Sequence, residues 1–496
     1  MKKLILILPF ILIGYFIFTG QKSGDDIKKW NNPHSTRVQI TGEYSTLPMD
    51  NNYKFTTQPR ILNTTKETYT IFPNRQVHPS FNTQSEVPIT RHPTNHNIMF
   101  ASANTFGGGT AFSTGVYVTT DGGVSWFGSD TINNGSLNYG DPGIAIDGDG
   151  RFLMSFISLS GRIANSVSSN NGLNWSTEIP IPGSTAQSDK NLSGVDDVST
   201  SPYYGRFYTV FTEFQGPNID HIVISYSSDH GISWSSEAPV SPGPYFQHFH
   251  QGADVMVGPQ GQVYVVWANN LQTAVEDSLG FAKSTDGGVT WAAARNNASN
   301  MEGIRNTGQT FLNGIRANGF PRIAVDKTNG LRRGWIYVTT SEKFLAPATD
   351  VSDIVLHRST DEGVTWTKVR VNQDAPGTNK YQYMAAVNVD DNGGLNVIYY
   401  DTRNTPTNDS AQIYISRSLD GGNTWTDILV SDHKFKPKAI QGTAGGYQGD
   451  YIGITSGNNA IWPYWCEDIT GLYQAWTARV DITAFPLNAF NINTPA

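Results

Sequence analysis

The sequence predicts an all-β fold, a single β-propeller whose blades each contain four strands. Three observations lead to this prediction: a short motif that recurs six times, an apolar strand-like segment that opens each repeat, and a composition with 49 Gly and only 15% charged residues. The motif reads Ser/Thr-x-Asp/Asn-x-Gly-x-x-Trp, and its third position is occupied in turn by Asp121, Asn170, Asp229, Asp286, Asp361 and Asp420. These positions lie 49, 59, 57, 75 and 59 residues apart, a period typical of propellers and solenoids.

The chemistry of the motif explains its composition. The Ser or Thr and the Asp or Asn can hydrogen-bond to nearby backbone amides and so close a tight turn. The Gly allows a backbone angle that a side chain would disfavour, and the Trp begins the next strand and supplies a large ring to bury between sheets. Each motif therefore predicts a hairpin turn between the third and fourth strands of a blade, with a structural role for its Asp or Asn.

Seven similar units follow one another along the chain. Each opens with an apolar strand and continues with a second strand, and six of them run through a third strand into the motif. In the seventh unit, residues Leu472–Ala478 stand in place of the third strand and the motif. We therefore favour seven blades, with six as the alternative. A strand from the segment before residue 85 or after residue 480 is expected to complete the last blade and close the ring.

The chain divides into four regions on these criteria. Residues 1–22 start with two lysines and continue with the apolar run Leu4–Phe18, which is typical of a signal peptide, with an N-terminal anchor as the alternative. Residues 23–80 predict a linker with a possible closing strand, residues 81–482 the propeller, and residues 483–496 a C-terminal tail. The leader predicts a secreted, cell-surface or periplasmic bacterial protein with no membrane contact beyond the anchor.

Composition and charge restrict the ligands. The formal net charge of −8 argues against nucleic acid as a partner, because proteins that bind it present a basic face. Cys466 is the only cysteine, so no intrachain disulfide can form, and we expect a monomer without a cofactor. Calcium is the one metal suggested, by Asp147–Gly150 and Asp390–Gly393. These loops lack the ordered ligand series of an EF-hand, and Asp-Gly is also a common hairpin turn.

Polar residues cluster where the first strand of each unit begins. In a propeller these strands line the central channel, and ligand sites gather on the face where they begin. The acids at nearly equivalent starts are our predicted catalytic residues: Glu86, Asp141, Asp196, Asp254 and Asp450. A second set of residues is predicted to bind the substrate. They begin other units, approach the first strands or follow the second strands: Arg322, Arg316, Asp401, Arg403, His250, Tyr383, Tyr447 and Trp267.

The six motifs resemble the Asp-box, or BNR repeat, of sialidases (neuraminidases) and their relatives. The resemblance covers roughly residues 80–482 and implies a propeller whose boxes lie away from the catalytic face. For a sialidase it also implies an Arg-Ile-Pro-like motif, three arginines that clamp a carboxylate, a Tyr/Glu nucleophile pair and an acid/base Asp. Here the first unit reads Ile89-Thr-Arg91-His-Pro93 instead, and three arginines do not align. The resemblance offers Tyr447 or Tyr383 with Glu86 as the nucleophile pair.

These residues are compatible with more than one function. Glycoside hydrolysis needs a carboxylic acid that protonates the leaving group and a second group that acts as base or nucleophile. A crowded acidic ring can raise one carboxyl pKa while another carboxyl stays ionised. The first expectation is therefore a secreted sialidase-like glycoside hydrolase that acts on glycans through this ring. The alternatives are a non-catalytic propeller that binds carbohydrate or protein at the cell surface, and a scaffold or adhesion module.

Overall fold

The computed structural model describes residues 54–107, 110–214, 220–243, 249–272, 275–305, 311–346 and 350–485. The predicted leader, the linker up to residue 53 and the tail beyond residue 485 lie outside these described residues. Within them, regular structure consists of β-strands and a 3-10 turn at Leu312–Gly314, and no helix is long and apolar enough to cross a membrane. The described chain is therefore all-β, as the sequence predicts.

The strands follow the predicted order of units. Three short strands come first: β1 (Arg60–Asn63), β2 (Glu67–Ile71) and β3 (Arg75–Gln76). The unit of the first box contains β4 (Thr83–Ser85), β5 (Ile89–Arg91), β6 (Met99–Gly107), β7 (Thr110–Thr119) and β8 (Phe127–Ser129). The next two units contain β9 (Gly143–Ile146), β10 (Phe152–Ile157), β11 (Ile163–Ser168) and β12 (Ile179–Pro180), then β13 (Ser188–Val195), β14 (Phe207–Phe214), β15 (Asp220–Ser227) and β16 (Ala238–Pro239).

The remaining units continue this pattern. The fourth and fifth contain β17 (Phe249–Val257), β18 (Val263–Gln272), β19 (Val275–Ser284) and β20 (Ala292–Asn300), then β21 (Arg322–Val325), β22 (Ile336–Glu342), β23 (Asp353–Ser359) and β24 (Thr367–Arg370). The last two contain β25 (Gln382–Val389), β26 (Leu395–Asp401), β27 (Gln412–Ser418) and β28 (Thr426–Leu429), then β29 (Gly453–Gly457), β30 (Ala460–Glu467), β31 (Gln474–Thr477) and β32 (Val480–Ala484).

The described strands pair into seven antiparallel sheets. Five sheets have four strands, the sheet of the first box has five, because β4 and β5 share its inner edge, and the sheet at the end of the chain has seven. The sequence favours seven blades with six as the alternative; the structure has six sheets that carry a box and one closing sheet without a box. In the closing sheet β2 pairs with β32 and β3 with β31, so segments from both ends of the described chain supply strands.

The innermost strands form a closed ring around a channel. Contacts pass from β5 to β9, β13, β17, β21, β25 and β29, and β29 packs against β5. We call the end where these strands begin the upper face, and the end where they finish the lower face. Because neighbouring strands in each sheet are antiparallel, the boxes and the loops after the first strands lie on the lower face. The hydrophobic core lies between sheets; for example, Tyr264 and Phe281 pack with Ile323 and Val338.

Each box closes its turn with side-chain hydrogen bonds. In the fourth box the Ser284 hydroxyl donates to Asp286 Oδ1 (2.8 Å) and accepts from the Gly288 amide (2.8 Å). Asp286 also accepts the backbone N–H and the hydroxyl of Thr290. The acid or amide accepts the backbone N–H four residues ahead in the other boxes as well, at Asp121, Asn170, Asp229, Asp361 and Asp420.

Candidate functional site

Left-handed kinks mark the upper ends of six of the seven inner strands that the structure describes. The backbone angle φ is positive at these kinks: Glu86 (52°), Asp141 (58°), Lys190 (58°), Gly252 (67°), Met384 (52°) and Gly449 (122°). In three strands the pairing register also shifts at the kink. This conformation costs an L-residue roughly 1–2 kcal/mol, because Cβ crowds the following carbonyl oxygen. Strain held at three charged residues is a reason to look for function there.

The three charged kink residues meet Asp450 and Arg316 in what we call the charged cluster: Glu86, Asp141, Lys190, Arg316 and Asp450. Lys190 Nζ lies 2.9 Å from Glu86 Oε1 and 3.1 Å from Asp450 Oδ2. The same Asp450 oxygen lies 2.6 Å from Arg316 Nη2. The backbone N–H of Lys190 donates to Asp141 Oδ2 (3.3 Å), which joins the fifth member to the cluster. Residues from five separate parts of the chain thus converge on one amine and its neighbours.

Amide and hydroxyl groups hold the cluster in place. Asn104 on β6 donates to Glu86 Oε2 (2.9 Å) and to Tyr447 Oη (3.1 Å), and its Oδ1 accepts the backbone N–H of Asp141 (2.7 Å). Asn318 donates to Asp450 Oδ1 (2.9 Å). The Arg316 guanidinium lies 4.9 Å from the centroid of the Tyr447 ring. Tyr447 and Glu86, the pair suggested by the resemblance, are therefore linked through Asn104.

The pKa values of two carboxyls in this cluster move in opposite directions. Burial raises the pKa of Glu86 well above its usual range; Lys190 opposes this rise, and the charges of Asp141 and Asp450 add to it. Burial also acts to raise the pKa of Asp450, but Arg316 and Lys190 outweigh it and lower that pKa to about 2. These opposite shifts favour protonation of Glu86 over protonation of Asp450, and acid–base chemistry requires two carboxyls separated in this way.

Little of the cluster is exposed to solvent. The exposed fraction of the side chain is 0% for Glu86, 4% for Lys190, 1% for Asp450 and 15% for Arg316. A cavity of about 20 Å³ adjoins Lys190 and Asp450, and the central channel forms a cavity of about 730 Å³ towards the lower face. The cluster therefore lies between the channel and the upper face and closes the upper end of the channel.

The structure brings together five of the residues that the sequence selects: Glu86, Asp141, Asp450, Arg316 and Tyr447. Asp254, another predicted catalytic acid, lies in the channel wall below the kink of its strand. Its Oδ2 accepts the backbone N–H of Ile323 (3.1 Å) on the next inner strand and contacts Arg322 Nε at 3.4 Å. Asp254 thus joins neighbouring blades, and its partner Arg322 lines the channel.

The prediction that Asp196 begins an inner strand is wrong. The inner strand of its unit is β13, Ser188–Val195, and Asp196 follows its end at the lower face. There Asp196 accepts the backbone N–H of Val198 (3.1 Å) and the Ser201 hydroxyl (2.5 Å), so it closes a turn. Asp147 and Asp390, the first residues of the two calcium-like loops, occupy corresponding turns and accept backbone N–H groups in the same way.

Three further aromatic residues predicted to bind substrate are, like Tyr447, fully buried. Trp267 on β18 packs in the core between two sheets, where a Cβ on Gly280 would strike its ring. Tyr383 stacks on Tyr400 with ring centroids 5.0 Å apart, and its hydroxyl contacts Gln448. His250 on β17 is 0% exposed, and its Nδ1 contacts Ser241 Oγ at 3.0 Å. A position near the start of an inner strand, or near the end of a second strand, therefore does not by itself expose an aromatic ring.

Asp401 and Arg403 form a separate ionic network in the sheet of the sixth box. Arg403 Nε donates to Asp401 Oδ2 (2.8 Å), and its Nη1 lies 2.5 Å from Asp427 Oδ2 on β28. The guanidinium also stacks on Tyr414, 4.3 Å from the ring centroid. These partners lie on the outer strands of one sheet, so the pair is separate from the charged cluster, and its role in substrate binding stays a prediction.

Four buried residues with notable contacts are not among those that the sequence selects: Lys190, Asn104, Asn318 and Glu276. Lys190 was overlooked because the unit was thought to begin at Asp196; the Lys is flanked by polar residues, Asp189 and Asn191, and the apolar pattern of a strand is weak there. Glu276 on β19 is completely buried, and its Oε2 accepts the backbone N–H groups of Gly319 (2.7 Å) and Arg305 (3.2 Å). Burial raises its pKa to about 7 although Arg305 opposes the rise.

Metal binding has no structural support within the described ranges. Among those residues, no group of three or more His, Cys, Asp and Glu side chains is arranged to hold a metal ion. In the cluster, the carboxyl oxygens instead face the ammonium, guanidinium and amide groups described above.

Comparison with known proteins agrees with the boxes and the sheets. The model of the BNR repeat-like domain matches residues 218–446. The six boxes, each between the third and fourth strands of a sheet in a closed ring, agree with this similarity to a BNR repeat-like domain, which spans less than half of the chain. No curated protein matches the chain in sequence.

Solved structures show distant similarity. A protein of unknown function from Dyadobacter fermentans DSM 18053 is 13% identical, with 83% of this chain and 99% of that chain covered and a TM-score of 0.43. The Hadza microbial sialidase Hz136 is 15% identical, with 78% and 74% covered and a TM-score of 0.43. An α-L-arabinanase of Penicillium chrysogenum complexed with arabinobiose is 11% identical, with 83% and 98% covered and a TM-score of 0.44. At these values the similarities carry no argument about activity.

Proposed function

We propose that the protein is a glycoside hydrolase that acts on glycans at the charged cluster, with Glu86 as the proton donor and Asp450 as the ionised carboxylate. The observation that carries the proposal is the contact of both carboxyls with Lys190 Nζ (2.9 and 3.1 Å) while their pKa values move in opposite directions. Two carboxyls whose environments separate their pKa values in this way suit the acid and the ionised partner of glycoside hydrolysis.

The spacing of the two carboxyls favours retention of configuration. Both oxygens contact the same Nζ, at 2.9 and 3.1 Å, so they lie no farther apart than the sum of these two distances. This limit is below the separation of about 6.5–9.5 Å that inverting enzymes use and is compatible with the shorter separation of retaining enzymes. In the first step the leaving oxygen takes the proton of Glu86 as the C–O bond breaks, and Asp450 bonds to the sugar carbon. In the second step water replaces Asp450 at that carbon and returns a proton to Glu86.

Neighbouring residues have supporting roles in this proposal. Asn104 fixes Glu86 and Tyr447, and Asn318 and Arg316 fix Asp450. Of the two cations that contact Asp450 or Glu86, Arg316 has the more exposed side chain, at 15% against 4% for Lys190. A glycan that approaches the upper face would meet this guanidinium first, and Arg donates well to sugar hydroxyls and carboxylates.

Burial of the cluster favours a second function, a non-catalytic propeller that binds carbohydrate or protein. Glu86, Lys190 and Asp450 are at most 4% exposed at their side chains, and their ion pairs can hold the upper ends of the blades together. In that case the cluster would be structural and the ligand would bind elsewhere on the propeller. Turnover separates these two functions.

The test is turnover of a panel of aryl glycosides, including a sialic acid derivative, by the purified full chain between about pH 4 and pH 8. We expect release of the aryl group, and a decrease of kcat/KM by about 10²–10⁴-fold in Glu86→Gln and in Asp450→Asn. Asp326→Asn is the matched control: Asp326 is also a buried acid, but it closes a turn at the lower face. Folded protein without turnover on any sugar would exclude the hydrolase on this panel and favour the binding propeller, which a glycan array would then test.

Export is part of this proposal. The basic and apolar start of the chain, residues 1–22, supports export through a signal peptide or an anchor, and glycans outside the cell or at its surface would then be the partners of a monomer. N-terminal sequencing of the protein expressed in a bacterium distinguishes the cases. A mature chain that begins after residue 18 supports a cleaved leader, and a retained Met1 in the membrane fraction supports an anchor.

A further inference from the structure

A small cavity separates the charged cluster from the central channel. It has a volume of about 20 Å³, enough for about one water molecule. Lys190 and Asp450 line it on the side of the cluster, and Asn318, Ser341 and Tyr451 also contribute polar groups to its wall. Leu192 and Arg322 line both this cavity and the channel of about 730 Å³. Two side chains thus form the partition between the channel and the cluster.

The closure on the channel side is looser than the closure on the upper side. Towards the upper face, Arg316 and Asn318 bond to Asp450 at 2.6 and 2.9 Å. On the channel side, Arg322 Nε contacts Asp254 at 3.4 Å and makes no hydrogen bond within the described chain. The Arg322 guanidinium lies 5.7 Å from the centroid of the Tyr451 ring. Arg322 is thus held by one ion-pair contact and one ring contact, and its long side chain has several staggered rotamers available.

We propose that the small cavity is a solvent site, and that water and small neutral solutes reach Lys190 and Asp450 from the lower face, through the channel and past Arg322. The upper face is then the side for a large ligand, and the channel is the side for water. The passage does not depend on the proposed hydrolysis, although that reaction would draw its water from this cavity. Electrostatics agree, because Lys190 can donate to a water molecule and Asp450 can accept from it.

Thiol labelling can test the passage, because the background is low. The only native cysteine, Cys466, is 2% exposed, and burial raises its pKa to about 12, so little of it is thiolate at neutral pH. Ala385 lines the small cavity, and Ala385→Cys places a thiol there. We would measure the rate of its reaction with methyl methanethiosulfonate by mass spectrometry in the full chain. Ala475→Cys, at a core position that is 0% exposed and lines neither cavity, is the control for global unfolding.

The decisive comparison is between two arginine variants in the Ala385→Cys background. We expect Arg322→Gln to increase the labelling rate by about tenfold, and Arg316→Gln to leave it nearly unchanged. A larger increase from Arg316→Gln, an equal increase from both, or labelling no faster than that of Ala475→Cys would overturn the passage. Ala253→Cys, also in the wall of the cavity, replaces Ala385→Cys if that variant does not fold. The labelling rate does not depend on turnover. A result that overturns the passage is therefore distinct from a result that overturns the proposed hydrolase activity.

Discussion

The acids of the boxes on the lower face and the acids at the kinks on the upper face differ in where their hydrogen-bond partners lie. In each of the six sheets that carry a box, one Asp or Asn accepts hydrogen bonds from amides and hydroxyls of its own hairpin. Asp286 is an example: these bonds outweigh the effect of burial and lower its pKa to about 2. At the kinks the acids differ from sheet to sheet. Glu86 and Asp141 occupy kinks where other sheets have Lys190, Met384 or glycine, and they bond to residues of other units.

This difference distinguishes the acids that build the repeat from the acids that occur only once in this chain. An acid that recurs at the same place in every repeat, and is satisfied within that repeat, has a role in the repeat itself. An acid that occurs once, in a strained conformation and with partners from several repeats, is not explained by the repeat. Conservative substitution of a repeated acid should therefore cost little unfolding free energy, whereas substitution of an unrepeated acid or of its charged partner should cost much more. The predictions below test this contrast, beginning with the largest expected effect.

The largest effect is expected from loss of the central amine. Lys190→Met removes the cation that lies between Glu86 and Asp450, and an uncompensated buried charge costs about 3–5 kcal/mol of unfolding free energy. The same substitution at the lower face, Lys327→Met, breaks a pair with Asp197 in which each side chain is 26% exposed, and should cost about 0–1 kcal/mol. Urea denaturation of the two variants gives both values. Equal losses of unfolding free energy would mean that Lys190 contributes no more to stability than a lysine in a partly exposed pair.

The pH dependence of stability gives the next effect. Glu276 has a pKa of about 7 in the folded protein and an ordinary value of 4.5, so above pH 4.5 the unfolded chain releases a proton that the folded chain retains. Its contribution to the unfolding free energy therefore falls as pH rises from about 4.5 to about 7, and is constant above that. Glu276→Gln should flatten this part of the profile, measured by urea denaturation at each pH. An unchanged profile would show that another group causes the decline.

The sequence predicts the regular part of this molecule far better than the irregular part. The boxes, the four-stranded sheets and the closing contribution of both ends follow from local turn chemistry and alternating apolar strands, which depend on neighbouring residues. Lys190 could not be found in this way, because its kink interrupts the strand pattern and its partners, Glu86 and Asp450, are distant in sequence. Asp196 was misplaced by the same error: without Lys190 in the strand, the unit was thought to start one strand length too late.

A smaller effect is expected at Asp254, which joins two inner strands. Its Oδ1 accepts the backbone N–H of Val255 (2.9 Å) and its Oδ2 that of Ile323 (3.1 Å). In Asp254→Asn only one oxygen remains, so one buried amide loses its acceptor, at a cost of about 1–3 kcal/mol. Asp326→Asn is the control, since Oδ1 alone accepts from Thr328 there. Thermal unfolding of both variants measures the difference, and a control that is as unstable as Asp254→Asn would contradict the reading of Asp254 as a blade connector.

The smallest effect is expected at a box. Asp286→Asn keeps an oxygen that can accept from Ser284 and from the Thr290 amide, and loses the bond from the Thr290 hydroxyl to Oδ2. We expect a loss of about 1 kcal/mol or less, because Asn170 already occupies this position in the second box and accepts the corresponding amide at 2.9 Å. The loss should disappear in acid: the lowered pKa of Asp286, about 2 against 3.8, gives a contribution that is present above pH 3.8 and lost as pH falls towards 2. Unfolding measured at neutral pH and near pH 2 decides this, and a box variant that proved as destabilising as Lys190→Met would remove the distinction between repeated and unrepeated acids.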